Sequence, residues 1–344
     1  MSLPFELYSA LEHEIGAGEK ALAPVVQELS ARYRGQSPVP AGRFATTGTD
    51  VAAYAAYRMP ATYAAVRAVF VEVAERLGSF EPLSVLDIGA GPGTVMWAAT
   101  DVWPSIARVT LVEREPEMIR LGRRLACWAP QAAVREAHWV ETDVTREWET
   151  AAADLVVASY VLGELAPGSL QPLVDRLWRL AAAVLVLIEP GTPAGFGRIA
   201  QARAQLIQLG ADVAAPCPHR QACPLQEGDW CHFAQRVQRT RFHRQLKQAE
   251  LPYEDEKYAY IAVAKAPVFP AAARVLRRPK ARKGHVELEL CTPAGVERAV
   301  VSRKEGDRYR WARKAEWGSG LPAHLSRDRA AHAAKRREGE GNPQ

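Results

Sequence analysis

Val85-Leu86-Asp87-Ile88-Gly89-Ala90-Gly91-Pro92-Gly93 is a short apolar run that ends in three closely spaced glycines, and helical spacing begins again over Val95 to Ala99. A strand that turns on glycines into a helix bends tightly and lets a ligand approach its backbone. The spacing narrows the ligand class. A dinucleotide fingerprint places its third glycine three residues after the second, whereas Gly93 follows Gly91 by two and position 94 is Thr. No Lys-Ser/Thr pair follows, so the phosphate-cradling P-loop is excluded too. Further short β-rich runs lie at Val109–Val112, 137–140, 154–158 and 183–188, with helical stretches between them, such as Pro116 to Trp128 and Leu170 to Leu180. A helix is expected from Pro193 to about Leu209, and a last core strand over Tyr258 to Val263. Strands alternating with helices predict an α/β fold, a doubly wound parallel sheet covered on both faces.

The glycine loop resembles the first motif of class I S-adenosylmethionine methyltransferases. The resemblance implies that Asp87, Gly89, Ala90, Gly91 and Gly93 cradle the methionine end of S-adenosylmethionine. It implies that Glu113, closing the second strand, binds the ribose hydroxyls, and that Asp143 meets the adenine. A carboxylate suits the ribose role because it can accept both hydroxyl hydrogens. After the fourth strand comes Ser159-Tyr160-Val161-Leu162-Gly163-Glu164-Leu165. This carries neither the Asn/Asp-Pro-Pro-aromatic motif of amino-methylating enzymes nor the cysteine nucleophile of RNA cytosine-5 enzymes. No catalytic base stands out, although methyl transfer can proceed largely by positioning.

Around this core, residues 1–78 read as a helical segment, with periodic apolar positions over 4–34 and 51–77, a Pro/Gly-rich loop between them and a break at Pro60. Residues 79–265 form the methyltransferase-like domain, with a Cys-rich insertion at about 214–245. Residues 266–318 read as a basic antiparallel β module, with strands at His285–Cys291 and Ala299–Ser302 around a Pro-Ala-Gly turn. The tail, 319–344, lacks strand pattern and is expected to be disordered.

The chain has 344 residues, 48% apolar and 24% charged, the profile of a globular protein. Its longest uncharged apolar run, Leu180–Ile188, has nine residues, too short for a membrane-spanning helix. Glu6, Glu12, Glu14 and Glu19 precede the first Arg. That is not the start of a targeting peptide, so a cytoplasmic protein without disulfides is expected, and a monomer. The net charge of +5 is divided unevenly: residues 1–200 hold 17 Lys/Arg against 23 Asp/Glu, and residues 201–344 hold 27 against 16. Within the module, Arg274, Arg277, Arg278, Lys280, Arg282 and Lys283 form a dense run, followed by Arg303, Lys304, Arg308, Arg310, Arg313 and Lys314. Such a half suits a polyanion, and Tyr309, Trp311 and Trp317 among the cations could stack on unpaired bases.

Three of the five cysteines cluster as Cys217-Pro-His, Cys223-Pro and Trp-Cys231-His-Phe, and Cys291 follows in the basic module. Clustered cysteines in a reducing compartment point to a metal or to catalysis. Three thiolates with a His, or four thiolates, suit zinc; four also suit an iron–sulfur cluster. The spacing does not choose between them. Cys127 lies in an apolar helical stretch and is expected in the core.

The cysteine run, Tyr253-Glu-Asp-Glu-Lys-Tyr258 with His243 and Lys247 before it, Arg58-Met-Pro-Ala-Thr-Tyr63, Ile188-Glu-Pro-Gly-Thr-Pro193 and Arg310-Trp-Ala-Arg-Lys-Ala-Glu-Trp-Gly318 together resemble a methyltransferase-like family of small-ribosomal-subunit assembly factors, with mitochondrial and bacterial members. The resemblance implies a [4Fe-4S] cluster on Cys217, Cys223, Cys231 and Cys291, making Cys291 a ligand rather than a plain strand residue. It gives His219, His232 and His243 supporting roles at the cluster or contacts to RNA. It also implies binding to small-subunit ribosomal RNA through the basic C-terminal half.

Overall fold

The structure is a computed structural model that describes residues 2–15, 48–239 and 252–326. The expected helical pattern beyond residue 15, the Pro/Gly-rich loop, His243, Lys247 and the end of the tail lie outside these residues.

β1 (Ser84–Ile88) is buried along its whole length, as a strand covered on both faces must be. Its side chains alternate between two cores. Val85 points to one with Leu111, Leu155 and Val186, and Leu86 to the other with Val112, Val156 and Leu185. The N-terminal helices α1 (Phe5–Ile15), α2 (Gly48–Tyr57) and α3 (Met59–Leu77) lie on the first face. Pro60 separates α2 from α3 by opening the second helix, in whose first turn a missing N–H costs nothing.

The chain continues through α4 (Thr94–Val102), β2 (Arg108–Glu113), α5 (Pro116–Ala126), α6 (Ala132–Arg135), β3 (His138–Glu141), β4 (Ala153–Ser159), α7 (Leu170–Leu180), β5 (Ala181–Pro190) and α8 (Pro193–Gln208). β6 (Asp212–Ala215), β7 (Phe233–Gln238) and β8 (Tyr253–Ala264) complete the large sheet. Its order is β3-β2-β1-β4-β5-β8-β6, with β7 also paired to β8. β1 to β5 run parallel, and β8 is antiparallel to β5, β6 and β7. This is the class I methyltransferase-like α/β fold.

A second, antiparallel sheet follows: β9 (Ala273–Val275), β10 (Lys280–Arg282), β11 (His285–Thr292), β12 (Gly295–Ser302) and β13 (Gly320–Leu321), with α9 (Asp307–Lys314) packed on it. Tyr309 and Trp311 are half-buried against its core, and Trp317 packs on the large sheet's core. All three aromatics are therefore engaged in packing. Arg274, Arg277 and Arg308 of the basic run are likewise drawn into ion pairs.

One further expectation changes. Cys127 is exposed, because α5 ends at Ala126 and the cysteine caps it. Cys217, Cys223 and Cys231 lie on the irregular stretch between β6 and β7.

Candidate cofactor pocket and thiol cavity

At the carboxyl ends of β1 to β4, where the strand order reverses, lies a pocket of about 230 Å³. This is the place where open α/β sheets bind ligands. Gly89, Gly91, Glu113 and Asp143 line it, but Asp87, Ala90 and Gly93 do not. Gly93 instead begins α4 with a left-handed φ of 83°, a conformation that favours glycine. Gly91 also has a positive φ, and a Cβ built there would meet nothing closer than the Tyr54 hydroxyl at 4.0 Å. The space above its backbone is therefore open.

Glu113 is held by the backbone. Its Oε2 accepts from the Gly91 N–H at 2.7 Å, and its Oε1 from the N–H groups of Arg114 and Glu115 at 2.8 and 2.9 Å. These bonds occupy three of about four acceptor sites on a carboxylate. Burial raises its pKa, and the three N–H bonds oppose that rise. Asp87 sits below with no exposure and no partner for either oxygen. Burial, then the nearby Glu113, raises its pKa well above the ordinary aspartate value. Asp143 accepts from the N–H and hydroxyl of Thr145, which lowers its pKa.

Two pocket residues have no counterpart in the motif reading. Glu164, on the turn after β4, lies 3.4 Å from Arg114. Burial pushes it to about 8, with Arg114 opposing and Glu113 adding to the rise. Tyr160 follows β4 with φ at 59°, left-handed for a residue with a side chain. Its hydroxyl donates to Glu256 at 3.0 Å, and Arg58 donates to the same carboxylate at 2.9 and 3.2 Å. The Arg58 run and the Glu-Asp-Glu-Lys run thus meet at the pocket wall. Only the absence of an acceptor-side motif marked this segment in the sequence. Behind it, fully buried Glu189 accepts from the Leu162 N–H and from Arg198, fixing the turn.

A second cavity, of about 200 Å³, lies beyond β8. Cys217, after β6, Cys223, Cys231, before β7, and Cys291, on β11, all line it. The structure therefore joins the three clustered cysteines to the fourth across both sheets. Cys291 is a strand residue and faces the cavity at once. Among the described residues, however, no group of three or more His, Cys, Asp or Glu is arranged to hold a metal ion. Burial raises the thiols of Cys217 and Cys231 and pushes Cys291 up to about 12, and the neighbouring sulfurs add to the rise. His219 Nε2 lies 3.5 Å from Cys291 Sγ, whereas His232 stacks on Trp230 and meets Trp317 edge-on.

Two guanidiniums complete the cavity wall. Arg274, on β9, is 2% exposed. It donates to the carbonyls of Pro216 and Gly318 at 2.7 and 2.8 Å and to Glu72 of α3 at 2.8 Å. Arg203, on α8, donates to Cys217 Sγ at 3.2 Å and to the carbonyls of His219 and Gln221 at 2.8 Å each.

Residues 48–322 match the family described as mitochondrial small ribosomal subunit Rsm22. The chain belongs to the Rsm22 family. It is 32% identical over 298 residues to human "Ribosome assembly protein METTL17, mitochondrial", covering 78% of this chain and 62% of that protein. It is 26% identical over 327 residues to "Rsm22-cox11 tandem protein 2, mitochondrial" of Schizosaccharomyces pombe, covering 80% and 43%. The chain thus spans less than two thirds of these Rsm22-family relatives. Among solved structures, magnesium protoporphyrin IX methyltransferase from Synechocystis PCC 6803 with bound SAM is 13% identical, with a TM-score of 0.40, over 77% of this chain and 100% of that one. These Rsm22-family relatives are mitochondrial by name, and this overturns the expectation of a cytoplasmic protein drawn from the acidic N-terminus.

Proposed function

We propose that this chain is an assembly factor of the small ribosomal subunit that binds S-adenosylmethionine. It would also hold a four-cysteine metal centre and grip ribosomal RNA through its small sheet. Membership of the Rsm22 family over residues 48–322 is the observation that carries the reading.

The pocket supports the cofactor. Gly91 offers open space above its backbone, Glu113 is preset with one acceptor site to spare, and Asp143 stands beside it. Bound there, S-adenosylmethionine supplies an electrophilic methyl group. The chain's own part is to orient its ribose at Glu113 and its methionine end at the glycines. No described residue is identified as a base, so positioning is what the pocket contributes to any methyl transfer.

The cavity supports a [4Fe-4S] centre on Cys217, Cys223, Cys231 and Cys291, with zinc as the alternative. A single zinc draws its sulfurs to about 2.3 Å from the metal. Cys217, Cys223, Cys231 and Cys291 line one cavity of about 200 Å³, a donor set that suits a four-thiolate centre of either kind. Such a centre would tie the two sheets together and supply electron storage or a structural clamp.

Arg278, Lys280, Arg282, Lys283, Arg313 and Lys314 are exposed and support RNA binding by phosphate neutralisation. The test uses full-length protein purified without oxygen, immature small subunits and isotope-labelled S-adenosylmethionine. Salt-sensitive binding to the particles, with no label in RNA, is the result expected for an assembly factor. Label in RNA that is lost in Glu113→Ala makes the protein an rRNA methyltransferase instead. Equal affinity for the particles at low and high salt overturns the RNA-binding face.

A further inference from the structure

The two arginines of the thiol cavity differ in one respect. Arg274 has a carboxylate partner, Glu72 at 2.8 Å. Arg203 is 7% exposed, and among the described residues no carboxylate lies within ion-pair distance of it. Its acceptors are two carbonyl oxygens and one sulfur. A guanidinium stays charged at any physiological pH. A buried charge without an opposite charge costs several kcal/mol on the order-of-magnitude scale, so a fold that keeps one places a negative partner near it. What faces Arg203 across the cavity is the set of four cysteines.

We propose that Arg203 is the positioning residue of the four-cysteine centre: it holds the loop that carries Cys217 and Cys223, and it supplies the buried positive charge that metal-bound thiolates balance. This rests on the metal centre proposed above, and it adds a role for a residue outside the ligand set. The geometry gives both halves. Nη2 ties down His219 and Gln221, the residues between the two cysteines, and Nε points at the Cys217 sulfur. Four thiolates around either two positive charges of metal or a four-iron core of the same charge leave a net negative centre, which one guanidinium within 3.2 Å offsets. In a redox-active cluster, a positive neighbour favours the more negative, reduced state. Arg203 would then raise the midpoint potential.

The test uses the full chain purified without oxygen as wild type, Arg203→Met and Arg203→Lys, each studied loaded and after metal stripping. Arg203→Met is expected to lose iron or zinc to a chelator at least ten times faster than wild type, with Arg203→Lys between them. If iron is present, its midpoint potential is expected to fall. The melting temperatures carry the sharper sign. Loaded Arg203→Met melts below loaded wild type, whereas stripped Arg203→Met melts at or above stripped wild type, because the unbalanced cation is gone. An equal drop in both states makes Arg203 a packing residue and overturns the proposal, as does unchanged metal release. If Arg203→Met does not fold, the release rate of Arg203→Lys decides: a rate equal to wild type overturns the positioning role, and a faster one supports it. Wild type that holds neither iron nor zinc removes the metal centre itself, and that failure is read on the wild type alone.

Discussion

The cofactor pocket and the thiol cavity are similar in volume and opposite in construction. The pocket is made at the ends of consecutive strands, and its key carboxylate is fixed by N–H groups within 22 residues of it. The cavity is made of loops and strands from both sheets, and its arginines bridge up to 202 residues of sequence. A site made locally persists as long as its strands do. A site gathered from afar depends on the packing of whole elements.

This contrast can be broken at several points. The largest effect is expected for Arg274→Met. It orphans the buried carbonyls of Pro216 and Gly318, at about 1–3 kcal/mol each, and takes one of Glu72's two guanidinium partners, Arg76 staying at 2.9 Å. Urea unfolding should show that loss together with loosened metal retention, while S-adenosylmethionine affinity stays near wild type. Equal damage to both sites would mean that they are one unit. Next comes Glu113→Ala, which removes a charged acceptor from the pocket. Hydrogen bonds to charged groups contribute about 1.5–3 kcal/mol, so calorimetric titration should give a roughly 10- to 150-fold weaker affinity for S-adenosylmethionine, with metal content unchanged.

Tyr160→Phe deletes one hydroxyl from the Glu256 cluster, at about 1 kcal/mol in chemical denaturation. The change should register in cofactor binding and leave the chelator release rate alone. The last effect is one of slope, spread over several pH units. Folded Glu164 keeps its proton to about pH 8, against an ordinary value of 4.5. Its contribution to stability is therefore complete below about 4.5 and is lost as pH rises toward 8. Melting temperature measured from pH 5 to 8 should fall less steeply in Glu164→Gln than in wild type.

The same contrast explains what could be read in the sequence. β1 and its glycines lie within ten residues, and their apolar run, turn and helix start are all local signals. The sheet, the pocket and the place of Glu113 follow from them. β7 and the first half of β8 did not stand out, because Gln, Arg, Glu, Asp and Lys alternate there with few apolar positions. Their strand character comes from pairing with each other. Asp87 could be placed beside the loop, but not its lack of partners, since that depends on what covers it. The cysteines could be grouped by spacing and by resemblance. Nothing in the spacing indicates Arg203 or Arg274, whose roles exist only once α8 and β9 are packed against that loop. Nor does the density of the basic run reveal that Arg274 and Arg308 are buried and that Arg277 is taken up in an ion pair with Asp229, leaving the outer surface less cationic than the count of charges suggests.

The strand order has a consequence for how the molecule is made. β5 pairs on its far side with β8, and β6 pairs only with β8. When a ribosome has released the chain as far as Cys231, the edge of β5 is still open and β6 has no neighbour. The sheet closes once residues 253–264 arrive, and only then does the stretch bearing Cys291 follow. Three walls of the thiol cavity are thus in hand before the fourth has been synthesised. Completion of that cavity marks the arrival of β11, and anything that binds all four cysteines reports that the second sheet has reached the first.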